Sequence, residues 1–81
     1  MARVLLFGPL GDLAGWRERV VEAGAGSVAA LRDLLAAEDA DLGLALSAPG
    51  VQVAVDQAIV RGDIALAAGA EVAFLPPMSG G

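Results

Sequence analysis

The sequence of 81 residues contains no cysteine, histidine, lysine or tyrosine. Without cysteine there is no disulfide framework, thiolate metal site or cysteine nucleophile. Without histidine the chain lacks the side chain best suited to proton transfer near neutral pH. Its carboxylates, arginines and three serines (Ser27, Ser47 and Ser79) cannot assemble a hydrolase triad or a zinc site. We expect no bound cofactor, and if the chain takes part in catalysis, a partner supplies the acid, base and cationic groups.

Basic residues are scarce, because five of them stand against ten acidic residues and give a net charge of −5. No basic stripe is available to contact phosphates, which excludes nucleic acid as a partner. The longest uncharged stretch, residues 42–55, is shorter than the roughly 20 residues that a membrane-spanning helix needs. The acidic cluster of Glu38, Asp39 and Asp41 lacks the spacing of a calcium loop. The sequence thus predicts a cytoplasmic protein with no membrane, nucleic-acid or metal partner.

Aromatic residues make up only 4% of the chain, whereas 57% of all residues are hydrophobic. This apolar content excludes disorder and requires a core of valine, leucine, isoleucine and alanine. At this length one domain is expected. We assign residues 1–77 to that domain and residues 78–81 to a flexible Gly-Gly tail.

The first part of the chain has the pattern of a β-hairpin. Residues 3–7 form a compact apolar run that is typical of a buried strand and ends at Gly8-Pro9. Residues 17–22 follow as a short second strand, which Gly24 and Gly26 close. Residues 11–15 between the two strands are rich in turn formers and are expected to be a loop.

The middle of the chain has the pattern of one amphipathic helix. Ser27 stands at the N-cap position of a helix over residues 28–38. The spacing predicts one apolar face and an opposite face of Arg32, Asp33 and Ala36. The apolar face consists of Val28, Leu31, Leu34 and Leu35. A second short helical piece is expected over residues 42–46.

The last third of the chain changes to a period of two. Val51, Val53 and Val55 alternate with polar or small residues, as expected of a half-buried strand. A tight turn at Gln57-Ala58 leads to a short strand at Ile59-Val60. The pattern of residues 64–68 predicts no definite secondary structure. Residues 70–75 form a strand that is apolar on both faces and that Pro76-Pro77 stops.

This order of elements predicts an α+β fold of the β-grasp type. Two hairpins flank one main helix, which packs across one face of a mixed sheet of four to five strands. The first and last strands are neighbours at the centre of the sheet, a position that suits a last strand with two apolar faces.

The sheet face that the helix leaves open is the candidate partner surface. Strand alternation places Phe7 and Leu75 on candidate positions, and Pro76 and Pro77 extend this surface toward the tail. The sequence alone leaves open which face the helix covers, so either Phe7 or Phe74 belongs to the core.

The tail Met78-Ser79-Gly80-Gly81 has one reactive group, the carboxylate of Gly81. Extended, the four residues reach roughly 13–14 Å. Two glycines without side chains suit insertion into a narrow channel. If ATP converts the carboxylate to an acyl-adenylate, a sulfur donor can displace the adenylate and leave a nucleophilic thiocarboxylate, much as a thiolate is more reactive than a thiol.

The sequence resembles a known family, the small, sulfur-carrier subunits of molybdopterin synthases. The most specific segment is EVAFLPPMSGG at residues 71–81. Weaker segments are RVLLF (3–7), LAG (13–15), ALRDLL (30–35) and VAVDQ (53–57), so that the resemblance extends over the whole chain. Asp56 departs from it, because Asn is common at this position.

The resemblance implies a ubiquitin-like fold whose Gly81 is adenylated by an E1-like enzyme that uses ATP. A sulfur donor protein then supplies the sulfur of the thiocarboxylate. The tail enters the large catalytic subunit of the synthase and donates its sulfur to a cyclic pyranopterin precursor. The resemblance also implies a heterotetramer of two large and two small subunits.

Two alternatives stay open. The first is a ubiquitin-like carrier or modifier of another pathway, such as thiazole synthesis, tRNA thiolation or protein conjugation. The second is a β-grasp binding module whose terminal glycines are incidental. The Pro-Pro pair and the longer helical region favour the molybdopterin pathway over the first of these alternatives.

Overall fold

A computed structural model describes residues 1–21 and 26–77, in which five strands form one sheet and three helices pack against it. The predicted end of the second strand at Glu22, its closing Gly24 and the tail of residues 78–81 lie outside the described residues. The strands are β1 (Ala2–Leu6), β2 (Glu18–Val21), β3 (Gln52–Val55), β4 (Ala58–Val60) and β5 (Ala70–Leu75). The helices are α1 (Pro9–Ala14), α2 (Val28–Glu38) and α3 (Ala40–Leu46).

The sheet has the strand order β2-β1-β5-β3-β4. The central strand β5 is parallel to β1 and antiparallel to β3, and each of these neighbours carries its own hairpin partner. The predicted β-grasp fold is therefore confirmed, with five strands and with the first and last strands adjacent. The apolar side chains on both faces of β5 fit a strand that has a neighbour on either side.

The predicted loop at residues 11–15 is wrong, because the structure has the short helix α1 there. Pro9 stands in its first turn, where a missing amide proton costs no hydrogen bond. Gly15 ends the helix in the left-handed conformation, with φ of 84°, and its amide donates to the Gly11 carbonyl. Leu10 of this helix is buried in the core.

Helix α2 has the predicted bounds and the predicted cap. The Ala30 amide donates to Oγ of Ser27 at 3.1 Å, which satisfies one of the free amides of the first turn. Asp39 ends α2 and also caps α3, because its carboxylate accepts from the Leu42 amide at 3.1 Å. On the predicted apolar face, Val28, Leu31 and Leu35 are buried and Leu34 is half-buried.

Arg32 corrects the prediction for the opposite face of α2. Its side chain is half-buried, and Cζ lies 5.9 Å from the ring centroid of Phe74. The guanidinium therefore stacks on an aromatic ring of the central strand.

The turn between β3 and β4 lies one residue earlier than predicted. Val55 pairs with Ala58, so the turn residues are Asp56 and Gln57, with φ of 50° and 71°. Two consecutive positive φ angles define the hairpin turn whose twist matches that of the strands. Asp56 tolerates the left-handed region, and its carboxylate accepts from the Glu71 amide at 3.0 Å.

The core lies between one sheet face and the helices. Val4, Leu6, Val72 and Phe74 of the two central strands face α2 and α3 and are almost fully buried. The structure thus settles which phenylalanine is in the core, since Phe74 has no exposed surface. The buried residues that pack together in this core are Val4, Leu6, Leu10, Val21, Val28, Leu31, Leu35, Leu42, Leu46, Val53, Val72 and Phe74.

Candidate functional site

The sheet face opposite the helices carries a continuous apolar surface. Pairing between strands places Leu5, Ala73, Ala54 and Ile59 side by side across β1, β5, β3 and β4. Phe7 and Leu75 follow in the next row, since Phe7 continues the alternation of β1 and its amide donates to the Phe74 carbonyl. We call these six residues the apolar face.

The large side chains of the apolar face remain in contact with solvent. Phe7 is 46% exposed and Ile59 is 52% exposed, while Leu5 and Leu75 are half-buried. Ala54 and Ala73 are small and lie buried between their larger neighbours. Contiguous exposed apolar surface of this kind marks an interaction site in soluble proteins.

A charged cluster borders the apolar face where β1 and β5 begin. A guanidinium nitrogen of Arg3 lies 2.6 Å from a Glu71 carboxylate oxygen, and another lies 3.5 Å from Glu18. Exposed ion pairs of this kind add only about 0–1 kcal/mol to stability. Their position is that of a polar rim beside an apolar centre, which is the usual composition of a protein interface.

The chain leaves the sheet at the opposite end of the apolar face, between two glycine turns. A Cβ on Gly8 would lie 3.3 Å from Cγ of Pro76, and a Cβ on Gly50 would lie 3.0 Å from Cβ of Pro77. Both glycines have positive φ, of 56° and 88°. Glycine is therefore suited to both positions by backbone conformation and by the closeness of the prolines. We call Pro76, Pro77 and these two glycines the chain exit.

Arg17 fixes the Gly8 side of the chain exit. Its Nη1 donates to the Gly8 carbonyl at 3.2 Å, and its Nη2 lies 2.5 Å from the Asp12 carboxylate. The side chain passes so close to α1 that a Cβ on Gly11 would lie 2.7 Å from Nη1. Arg17 thus joins α1 to the turn against which Pro76 packs.

The predicted partner-surface residues come together in the structure. Phe7 and Leu75 lie on the apolar face, and Pro76 and Pro77 continue from its edge. The predicted tail residues Met78, Ser79, Gly80 and Gly81 lie outside the described residues. Sequence reasoning missed the roles of Gly8, Gly50 and Arg17. In the sequence, Gly8 and Gly50 each stand beside a proline. This pairing indicates a turn but does not indicate that the turn lies close to Pro76 or Pro77.

Within residues 1–21 and 26–77, no group of acidic side chains has the geometry of a metal site. In the same part of the chain, no helix has both the length and the hydropathy needed to cross a membrane. The described site has an apolar centre, a charged rim and a chain exit at one end, which is the composition of a protein–protein contact surface.

Three comparisons with known proteins agree with this geometry. The model of the ThiS family matches residues 4–81. The chain is 40% identical over 81 residues to the molybdopterin synthase sulfur carrier subunit of Escherichia coli K12, with all of both chains covered. It is similar to the crystal structure of SAMP1 from Haloferax volcanii, with 28% identity, a TM-score of 0.77 and coverage of 99% of this chain and 98% of that one.

The fold also recurs in the complex of subunits 1 and 2 of the molybdopterin-converting factor from Helicobacter pylori 26695. The matching chain of that complex is 22% identical, with a TM-score of 0.69. The match covers 99% of this chain and 97% of the other. At this identity the likeness concerns the fold alone.

Proposed function

The chain belongs to the ThiS family of sulfur carriers, and from this premise we propose that it is the sulfur-carrier subunit of a molybdopterin synthase. The observation that carries the proposal is the 40% identity to the Escherichia coli carrier subunit over the full length of both chains. Because that match includes the last residue of both chains, Gly80 and Gly81 align with the C-terminal end of that carrier subunit.

The reactive atom in this proposal belongs to the Gly81 carboxylate. A carboxylate oxygen attacks the α-phosphorus of ATP on an E1-like adenylating enzyme, and pyrophosphate leaves. Hydrosulfide from a sulfur donor protein then attacks the acyl carbon, and AMP leaves with one of the former carboxylate oxygens. The product is a thiocarboxylate. It needs no side chain of this protein, which is consistent with the absence of cysteine, histidine and lysine from the sequence.

The large subunit of the synthase receives the thiocarboxylate and holds the cyclic pyranopterin precursor. There the thiocarboxylate sulfur attacks a carbon of the precursor, and a carbon–oxygen bond at that carbon breaks. Water then adds to the acyl carbon and the acyl carbon–sulfur bond breaks, so that the sulfur stays on the pterin and Gly81 returns to its carboxylate. Met78, Ser79, Gly80 and Gly81 provide the reach of roughly 13–14 Å that insertion into a neighbouring active site requires. The large subunit supplies the catalytic side chains, and this chain acts as its co-substrate.

We assign the apolar face to the contact with the large subunit. Phe7 and Ile59 are aromatic or branched, half-exposed and framed by smaller residues, as energetically dominant interface residues usually are. The chain exit adjoins Phe7 and Leu75, so a partner that covers this face also receives the tail. Pro76 and Pro77 lack amide protons and start the tail as an extended segment that cannot continue the sheet.

A second candidate function is that of a protein modifier. It is favoured by the similarity to SAMP1, described in a related structure as a small archaeal modifier protein. A modifier uses the same adenylate but transfers its C-terminal acyl group to an amine of another protein. The identity to that protein is lower, at 28% against 40%, and we therefore prefer the sulfur carrier.

Mass spectrometry of the intact chain tests the loading step. The protein is incubated with an adenylating enzyme, ATP and hydrosulfide, beside a variant that lacks Gly81. We expect the full chain to gain the mass difference between sulfur and oxygen, and the shortened chain to keep its mass while its circular dichroism spectrum is unchanged. Loading of the shortened chain, or no loading of the full chain, contradicts the proposal.

A further inference from the structure

The arginines of this acidic chain differ in whether they have an ionic partner. Arg3, Arg17 and Arg19 each lie within 4.0 Å of a carboxylate oxygen. Within residues 1–21 and 26–77, Arg32 and Arg61 have no such partner. Both of these arginines line the same cleft, which has a volume of about 540 Å³. We call it the arginine cleft.

The arginine cleft lies between the first turns of α2 and the ends of β3 and β4 that meet the chain exit. Its walls come from residues 28, 29 and 32 of the helix, residues 50–53 and residues 59–63. Gly50 belongs to this lining and also packs against Pro77. The cleft therefore opens beside the point where the chain leaves the sheet.

Arg32 is positioned by the protein but incompletely satisfied. Its guanidinium carbon stacks 5.9 Å from the ring centroid of Phe74, and its Nε is buried without a hydrogen-bond acceptor. A buried donor without an acceptor is destabilising, more so when it belongs to a charged group. The side chain is therefore held in place for a contact that the described chain does not itself provide.

Asp63 is the remaining charged group of the arginine cleft. Its carboxylate accepts a hydrogen bond from the Ala29 amide at 2.8 Å and so serves the start of α2. Two guanidinium groups and one carboxylate give the cleft a charge of +1 in a chain of net charge −5. This local excess of positive charge makes the cleft a site that attracts anionic groups.

We propose that the arginine cleft binds a carboxylate side chain of the synthase's large subunit, an inference that rests on the proposed function. Guanidinium groups bind carboxylates through charge-assisted, often bidentate hydrogen bonds. A subunit that receives the tail passes the chain exit and therefore reaches the cleft. A second copy of this chain is the less favourable occupant, since two chains of charge −5 repel each other.

In this arrangement the two contacts have different tasks. The apolar face supplies contact area, whereas the arginine cleft fixes the rotation of the carrier about its tail. A charged contact beside an apolar one gives a docking surface both register and selectivity against wrong partners.

The test measures the Kd of the purified complex with the large subunit by calorimetry, at about 50 mM and 300 mM NaCl. Arg61→Gln is the main variant, because Arg61 is exposed and its loss leaves the core intact. Arg19→Gln is the matched control, because it removes the same charge from an arginine that already pairs with Glu38. Arg32→Lys retains the charge but loses the planar guanidinium.

We expect Arg61→Gln to raise Kd about tenfold at low salt, with a smaller effect at high salt, and Arg19→Gln to change it less than about twofold. Arg32→Lys should raise Kd about fivefold, because an ammonium group cannot form a bidentate pair. Equal effects of Arg61→Gln and Arg19→Gln overturn the proposal.

Two further results also overturn it. One is competition by inorganic phosphate at low millimolar concentration, which assigns the cleft to a free anion. The other is a dimer of the wild-type chain in sedimentation that Arg61→Gln abolishes, which assigns it to a second copy. If the wild-type chain does not bind the large subunit at all, the proposed function fails as well. If the wild-type chain binds the large subunit and Arg61→Gln does not change the Kd, only the proposal for the arginine cleft is refuted.

Discussion

The two faces of the sheet consist of the same five strands but differ in what covers them. On one face, Val4, Val72 and Phe74 lie under the helices with no exposed surface. On the other face, Phe7 and Ile59 remain about half exposed. Neighbouring residues of one strand therefore differ in burial, since one belongs to the core and the next lies on the face that we assign to the partner.

The two phenylalanines make this comparison most directly. The Phe7 amide donates to the Phe74 carbonyl at 3.2 Å, so their backbones are joined while their side chains lie on opposite faces. The difference between them shows that hydrophobic character alone does not identify a core residue. Burial of a strand residue depends on whether its side chain points to the face that the helices cover. A strand that is apolar on both faces therefore carries both buried and exposed apolar side chains.

The largest expected effect comes from the covered face. Phe74→Ala removes a fully buried ring and leaves a cavity beneath Arg32, so we expect the free energy of unfolding to fall by about 3–5 kcal/mol. Urea denaturation followed by circular dichroism measures the loss. A fall of less than about 1 kcal/mol would place Phe74 outside the core.

The next effect comes from the apolar face. Phe7→Ala should leave the free energy of unfolding within about 1 kcal/mol of the wild type but weaken binding to the large subunit roughly 30-fold. Leu44→Ala is the control, since Leu44 is an exposed apolar residue of α3 and lies away from this face. Equal affinities of the two variants for the large subunit would show that the apolar face does not contact that subunit.

The chain exit lies at the edge where the two faces of the sheet meet, and its Gly50 can be tested against a second glycine of positive φ. Gly50→Ala and Gly69→Ala both introduce a Cβ at positive φ, but only the first brings it near Pro77. We expect Gly69→Ala to cost about 1 kcal/mol of stability and Gly50→Ala about 2 kcal/mol.

Gly50→Ala should also slow sulfur transfer, because displacement of Pro77 redirects the tail. Single-turnover rates with a loaded chain report this effect. Gly69→Ala, whose added Cβ meets no atom within 4 Å and which lies outside the arginine cleft, should transfer sulfur at the wild-type rate. Equal rates for both variants would show that the contact with Pro77 does not guide the tail.

The smallest effect concerns the helix that covers the inner face. Ser27→Ala removes the acceptor for the Ala30 amide and should lower stability by about 1 kcal/mol. Binding to the large subunit should stay within about twofold of the wild type, because Ser27 belongs neither to the apolar face nor to the lining of the arginine cleft. A larger loss of affinity would mean that the start of α2 itself contacts the partner.

Elements with a clear period were predictable from the sequence. Alternating valines indicated β3, the spacing of leucines and the cap at Ser27 indicated α2, and the order of elements led to the β-grasp fold. Short elements held by distant contacts were not predictable. Helix α1 has only six residues and therefore no clear hydrophobic period. No local pattern indicates that Arg17 reaches back to the Gly8 carbonyl at its start.

The turn and the site show two further limits. Positive φ at Asp56 and Gln57 leaves only a weak signal, since neither residue is glycine. Alternation is symmetric, so it could not decide between Phe7 and Phe74. The stacking of Arg32 on Phe74 joins residues far apart in the sequence, which is why the predicted outward face of α2 was wrong at this position.

The most direct test of the central claim is a single turnover with the thiocarboxylated chain, the large subunit and the pyranopterin precursor, followed by intact-mass analysis. We predict that the chain returns to its carboxylate mass as the pterin gains sulfur, with one sulfur delivered per chain. A chain that keeps its sulfur while the pterin stays unchanged, or that becomes attached to an amine of another protein, would contradict this function.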